Sequence, residues 1–86
     1  MKAILVYKDD SEHARAVIDF MREFERRTGK KIETLEPETP AGSSFCQTYD
    51  IVEYPTIVAL DTQGKLLQYW KGFPLPQITE VSYYVD

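Results

Sequence analysis

The sequence predicts a small α/β domain with a mixed four-stranded sheet and helices on both faces. Three observations support this prediction. Short apolar runs that suit buried strands alternate with a long amphipathic segment. Pro55 opens the third apolar run, and a strand accepts proline at its first residue. A turn with glycine in its last position then separates two strand-like segments, which makes the final pair of strands antiparallel.

Length and composition limit the class of protein. The 86 residues predict one domain, 1–86, with one modest core. The formal net charge of −4 argues against nucleic-acid and anionic-membrane partners, because these favour basic surfaces. One cysteine excludes an internal disulfide. The first residues do not fit a signal peptide, and no run approaches the ~20 apolar residues that cross a bilayer. We therefore expect a cytoplasmic protein.

The first half of the chain is expected to form a strand, a helix and a second strand. Ala3–Tyr7 has the β-branched and aromatic residues of a strand that is buried on both faces. The helix is expected to run to Thr28, with Asp9 or Asp10 as its N-cap and Gly29 in the left-handed position after it. A polar edge strand over Lys31–Glu36 should lie parallel to the first, because a helix joins the two. The inward face of the helix is expected to carry Ala14, Val17, Ile18, Met21 and Phe24.

The second half begins with a loop from Pro37 to Gly42, which holds two prolines and a glycine. A short helix through about Asp50 should follow, because Ser44 and Gln47 have the spacing of a capping box. The remaining elements are expected to be a buried strand over Thr56–Leu60, a turn over Asp61–Gly64, a returning strand over Lys65–Lys71 and a last helix over Gln77–Val85.

This order of elements, with Pro55 opening the third strand, resembles the thioredoxin fold. It is similar to the minimal core of glutaredoxins and of the C-terminal part of thioredoxins. The motifs that match, in order, are Tyr49-x-Ile51, Pro55-Thr56, the turn Asp61–Gly64, and Gly72 after the last strand. The resemblance implies a thioredoxin-like βαβ-αββα topology and a cis Tyr54–Pro55 peptide bond.

The redox motif of the resembled family is missing. Family members carry Cys-x-x-Cys directly after the first strand, where the helix N-terminus lowers the thiol pKa. The residues at that position here are Asp10, Ser11, Glu12 and His13, so dithiol exchange at the usual place is excluded. The carboxylates are interpreted as helix caps. The alternative, a metal or acid–base site, lacks a second His or a Cys among its partners, so we expect no metal.

Cys46 is the only thiol in the sequence. A lone cysteine is typically a small buried apolar residue, which is the interpretation we adopt. An exposed position near the start of the short helix would lower its pKa and make it reactive. Cys46 is therefore the one candidate for a catalytic residue.

The resemblance implies a binding groove formed by Tyr54, Pro55 and Gly72, with Phe73 beside them. In that family the groove receives glutathione or an extended peptide, whose backbone pairs with the residue before the proline. The leading hypothesis is a thioredoxin-like domain that lacks the dithiol, needs no cofactor and binds a protein or peptide without catalysis. Two alternatives stay open. The first is an atypical thiol redox protein using Cys46, and the second is a structural or assembly protein with Trp70 and the tyrosines at its interface.

Overall fold

The computed structural model describes all 86 residues, as a four-stranded sheet and three helices. The elements are β1 (Lys2–Val6), α1 (Ala14–Thr28), β2 (Glu33–Leu35), α2 (Pro40–Tyr49), β3 (Thr56–Leu60), β4 (Leu66–Lys71) and α3 (Ile78–Ser82). The strand order is β2-β1-β3-β4. β1 is parallel to β2 and antiparallel to β3, and β3 is antiparallel to β4. The predicted mixed sheet and its pairing directions are confirmed.

Two apolar clusters cover the two faces of the sheet, because side chains along a strand alternate between faces. On one face, Phe24 of α1 and Val81 of α3 pack in one cluster with Ile57 of β3. On the other face, Cys46 of α2 packs in a second cluster with Val58. All five residues of β3 are buried, as a strand between two helix layers requires. Helices therefore lie on both faces, as the sequence predicted.

The start of α1 differs from its prediction. The helix begins at Ala14, and the residue before it, His13, makes no side-chain cap. Residues 8–11 form a turn instead, in which the Ser11 N–H donates to the Lys8 carbonyl at 3.2 Å. The prediction that Asp9 or Asp10 caps the helix is therefore wrong, because this turn separates them from the first helical residue. Gly29 ends the helix at φ 71°, as predicted.

The buried face of α1 also needs one correction. Ala14, Val17 and Phe24 are buried, but Ile18 is 37% exposed. Phe20, which the sequence pattern did not place inward, packs against the core. The ring of Phe20 extends the apolar face of the helix, and Ile18 lies where that face meets solvent.

α2 begins at Pro40 and not at Ser44. The Thr39 hydroxyl caps it by accepting the Gly42 N–H at 3.0 Å, and Pro40 stands in the first turn, where its missing N–H costs nothing. The predicted loop through Gly42 and the predicted capping box of Ser44 and Gln47 are therefore wrong. Proline there marked the beginning of a helix and not the interior of a loop.

The remaining elements differ from prediction only at their ends. β1 stops before Tyr7, and β2 keeps three of its six expected residues. The predicted turn is present, with Gly64 at φ 84° and its N–H donating to the Asp61 carbonyl at 3.1 Å. α3 follows a capping box of Gln77 and Glu80 and is only five residues long. None of the three helices combines the length and the apolar character that a membrane span needs.

Candidate functional site

Four segments of the chain meet at one edge of the sheet. Val6 pairs with Leu35 on one side and with Thr56 on the other, and Thr56 pairs with Lys71. β1, β2 and β4 therefore end at this edge, and β3 begins there. We term the segments 7–13, 36–38, 50–55 and 71–74 the site edge. Both the groove and the redox-motif position expected from the sequence lie within it.

Pro55 and Gly72, two residues of the groove expected from the sequence, are in contact at the site edge. Both are buried, and the Gly72 N–H donates to the Pro55 carbonyl at 2.7 Å. The Tyr54–Pro55 and Phe73–Pro74 peptide bonds are both cis. Gly72 has φ 64°, and a Cβ on it would lie 2.3 Å from Glu53 Oε2. Glycine at this position therefore allows the Glu53 carboxylate to lie against the backbone of the groove.

Tyr54 has a free backbone beside these two residues. Neither its N–H nor its C=O has a hydrogen-bond partner within the protein. Its neighbours are engaged, since the Glu53 carbonyl accepts the Thr56 hydroxyl at 2.5 Å and the Pro55 carbonyl accepts Gly72. A free donor and acceptor on one residue at a strand end are the groups that strand addition uses.

His13 connects the redox-motif position to the groove. Its Nε2 accepts the Lys8 N–H at 3.2 Å. The rings of Tyr7 and Phe73 meet the imidazole edge-on, with centroids at 6.5 and 6.4 Å. Phe73 nevertheless remains 54% exposed. His13 therefore links the redox-motif position expected from the sequence to Phe73 through a ring contact.

The other residues of the redox-motif position form a turn. Asp10 and Glu12 are exposed, and the Ser11 hydroxyl donates to the Lys8 carbonyl at 2.6 Å. No three His, Cys, Asp or Glu side chains in the structure come together as a group that could hold a metal ion. This segment is therefore a hydrogen-bonded turn that presents the carboxylates of Asp10 and Glu12 at the surface.

Carboxylates also surround the aromatic side chains of the site edge. Burial raises the pKa of Tyr7, and the carboxylates of Asp9 and Glu36 raise it further. Glu36 accepts the Asp9 N–H through Oε2 at 2.8 Å, while its Oε1 is buried without a partner. Burial likewise raises the pKa of Tyr54, and Glu38 contributes in the same direction.

Cys46 lies on α2 behind Tyr54. The thiol is 7% exposed, as expected for a small buried apolar residue. Burial raises its pKa, and the neighbouring Tyr54 hydroxyl offsets this only in part. An open depression of about 410 Å³ lies in front of it, lined in part by Ile51, Val52 and Tyr54. A protonated thiol in this position behaves as a packing group.

The sequence did not reveal that two further acidic residues lie at the site edge. Glu38 and Glu53 were not singled out, yet the first lies near Lys8 and the second lies against Gly72. The only signal in the sequence is the number of acidic residues close to the proline and to the first strand. Their convergence depends on loops that are distant along the chain, and no local pattern reports it.

Comparison with solved structures shows a thioredoxin-like fold. Thioredoxin 1 from the thermophilic eubacterium Thermosipho africanus TCF52B matches with a TM-score of 0.68 and 17% identity, over 98% of this chain and 89% of that chain. A structure described as that of a malarial protein matches with a TM-score of 0.62 and 17% identity, over 83% and 79%. No protein-family model and no curated protein matches the chain. The resemblance to the thioredoxin fold is confirmed, and identity this low establishes the fold alone.

Proposed function

We propose that this protein is a thioredoxin-like binding module without dithiol chemistry, which takes an extended segment of a protein or peptide at the Tyr54–Pro55 groove. The observation that carries the proposal is the free N–H and C=O of Tyr54 beside the buried Pro55. An incoming extended chain can form main-chain hydrogen bonds with both groups, as in strand addition. The exposed ring of Phe73 adds an apolar contact for its side chains.

Two properties of Cys46 support a role without redox catalysis. The chain has no second thiol, so it cannot form an internal disulfide during turnover. The raised pKa keeps the thiol protonated at neutral pH, while the thiolate is the form that attacks a disulfide. The proposal places the protein in the cytoplasm, where a single reduced thiol is the ordinary state.

Trp70 supports a binding module over an assembly protein. An assembly role would use this residue as part of an exposed interface. In the structure Trp70 packs against the core cluster beneath α1 and α3, and its ring meets Tyr84 edge-on at 5.7 Å. Trp70 therefore packs within its own domain, against the core cluster and Tyr84.

The test begins with a peptide selected from a random phage-displayed library on the immobilised protein. Phe73→Ala is expected to weaken binding of that peptide at least about tenfold, because it removes the exposed aromatic contact of the groove. Tyr83→Ala is the matched control, since Tyr83 is 73% exposed at the C-terminal end of α3 and lies outside the site edge. We expect the control to bind as the wild type does, by isothermal titration calorimetry.

Amide chemical shifts locate the bound peptide. They are expected to change at Tyr54 and Gly72. The proposal is wrong if the shifts change around α3 instead, or if Tyr83→Ala weakens binding as much as Phe73→Ala does.

A further inference from the structure

The charges of the molecule are distributed unevenly. Of the 14 acidic and 10 basic side chains in the sequence, seven acidic and two basic ones belong to the site edge. The site edge is therefore more negative than the whole chain, whose net charge is −4, and the rest of the molecule is close to neutral. A groove with this potential attracts cationic ligands and repels anionic ones.

Two of these carboxylates lie at the groove itself. Glu53 Oε2 lies against the backbone of Gly72, within 2.3 Å of the place that a Cβ would take. Glu38 lies near Tyr54 and is 4.0 Å from the ammonium group of Lys8. Among the acidic residues of the site edge, Glu38 alone has an ion pair, so most of the negative charge is not neutralised by the protein.

Two lysines of the site edge lie over tyrosine rings, one of them within the site edge and the other next to it in β4. The Lys8 ammonium group lies 5.7 Å from the centroid of the Tyr54 ring as well as near Glu38. The Lys71 ammonium group lies 5.8 Å from the centroid of the Tyr69 ring. Both distances are within the range of a cation–π interaction. Aromatic faces with carboxylates nearby are the surroundings in which a lysine or arginine of a ligand is stabilised.

We infer that the ligand of the groove is an extended peptide segment rich in lysine and arginine. This inference rests on the proposed function. The peptide backbone pairs with Tyr54, and its cationic side chains face Glu38 and Glu53. Since charges at the surface act over about 8 Å at physiological ionic strength, both carboxylates reach a chain bound at Tyr54. Like-charge repulsion weakens the binding of an acidic peptide, which gives the groove its specificity.

Three capped peptides of equal length test the inference on the wild-type protein. They share alternating valines, and they carry lysine, glutamine or glutamate at the positions between. We expect the lysine peptide to bind at least about tenfold more tightly than the glutamine peptide at low salt, and the glutamate peptide to bind more weakly than both. Because salt screens the attraction, the difference should shrink as salt is raised.

The outcomes separate the inference from the proposed function. If all three peptides shift the Tyr54 and Gly72 resonances with equal affinity, the groove binds peptide but the charge preference is wrong. If none of them shifts these resonances, the proposed function and the inference are both wrong.

A matched pair of double variants tests the two carboxylates directly. Changing Glu38→Gln together with Glu53→Gln should reduce the preference for lysine over glutamine at least about threefold. Changing Glu25→Gln together with Glu33→Gln removes the same charge from exposed ion pairs outside the site edge. That second variant should keep the preference. Equal loss in both variants would show that net charge, and not these two residues, selects the ligand.

Discussion

The backbone, the ring and the hydroxyl of Tyr54 have different surroundings. Its free backbone groups border the groove, and its ring lies under the Lys8 ammonium group. Its hydroxyl lies beside the thiol of Cys46. The hydroxyl lowers the pKa of the thiol, and the thiol raises the pKa of the hydroxyl. Cys46 and Tyr54 line the same open depression, so the thiol lies next to the residue at which the ligand is proposed to bind.

The raised pKa of Cys46 gives a prediction at the scale of one residue. Alkylation by iodoacetamide requires the thiolate, so at pH 8 the native protein should react more slowly than the urea-unfolded chain. The rate should also rise at higher pH in the native protein than in the unfolded one. Equal alkylation rates in the native and unfolded protein, with the same pH midpoint for the rise in rate, would indicate an accessible thiol and would favour the redox alternative.

At the scale of elements, the start of α2 depends on a close backbone contact. A Cβ on Gly42 would lie 1.8 Å from the carbonyl oxygen of Glu36, which is backbone and cannot move aside. Alanine ordinarily stabilises a helix relative to glycine by about 1 kcal/mol. Here the contact reverses the sign, because α2 could form only after shifting away from residues 36–39.

Gly42→Ala is therefore expected to lower the free energy of unfolding by more than about 2 kcal/mol. Gly29→Ala is the comparison. Gly29 has a left-handed φ of 71° but no atom within 4 Å of an added Cβ, so it should cost only about 1–2 kcal/mol. Urea unfolding of both variants measures the difference. A Gly42→Ala protein as stable as the wild type would show that α2 does not lie against Glu36 as described.

The elements differ in how far the sequence predicted them. Thr56–Leu60 was predicted to the residue, because a fully buried strand is a continuous apolar run between a proline and a turn. The first residues of α1 and α2 were not predicted correctly, because Asp9 and Ser44 are both residue types that are common at helix N-caps. Which residue caps a helix depends on where the preceding loop ends, and the turn at Lys8 and the hydroxyl of Thr39 determine that.

The contacts of the site edge could be expected from the sequence only in part. The proximity of Pro55 and Gly72 was expected from a motif whose parts keep their order along the chain, and a hydrogen bond joins the two residues. The contact of His13 with Phe73 and that of Lys8 with Tyr54 join segments about 45 to 60 residues apart. Such contacts depend on side-chain packing at the site edge, and no periodic pattern encodes them.

Across the molecule, one buried and three partly buried acids act together at alkaline pH. The pKa values of Cys46, Tyr7, Tyr54 and Tyr69 are all raised, chiefly by burial, from ordinary values of 9.0 for the thiol and 10.0 for the phenols. Each group therefore keeps its proton longer in the folded state than in the unfolded state. The stability they contribute is present below the unfolded pKa and is lost as pH rises through the folded one.

The free energy of unfolding is thus expected to fall between pH 8 and pH 10.5, measured by urea unfolding at each pH. Replacing Cys46→Ala and Tyr54→Phe together removes two of the four groups and should make the fall smaller. A free energy that stays constant or rises over this range would contradict the burial assigned to these side chains.

Peptide binding at the groove depends on the backbone of Tyr54, and hydrogen exchange of its amide reports on that backbone. The Tyr54 N–H has no partner in the free protein, so its exchange should be fast. Saturation with the lysine peptide is expected to slow it at least about tenfold, while the unpartnered Thr79 N–H at the start of α3 stays unchanged. A peptide that binds and leaves the exchange of Tyr54 as fast as before would contradict strand addition at the groove.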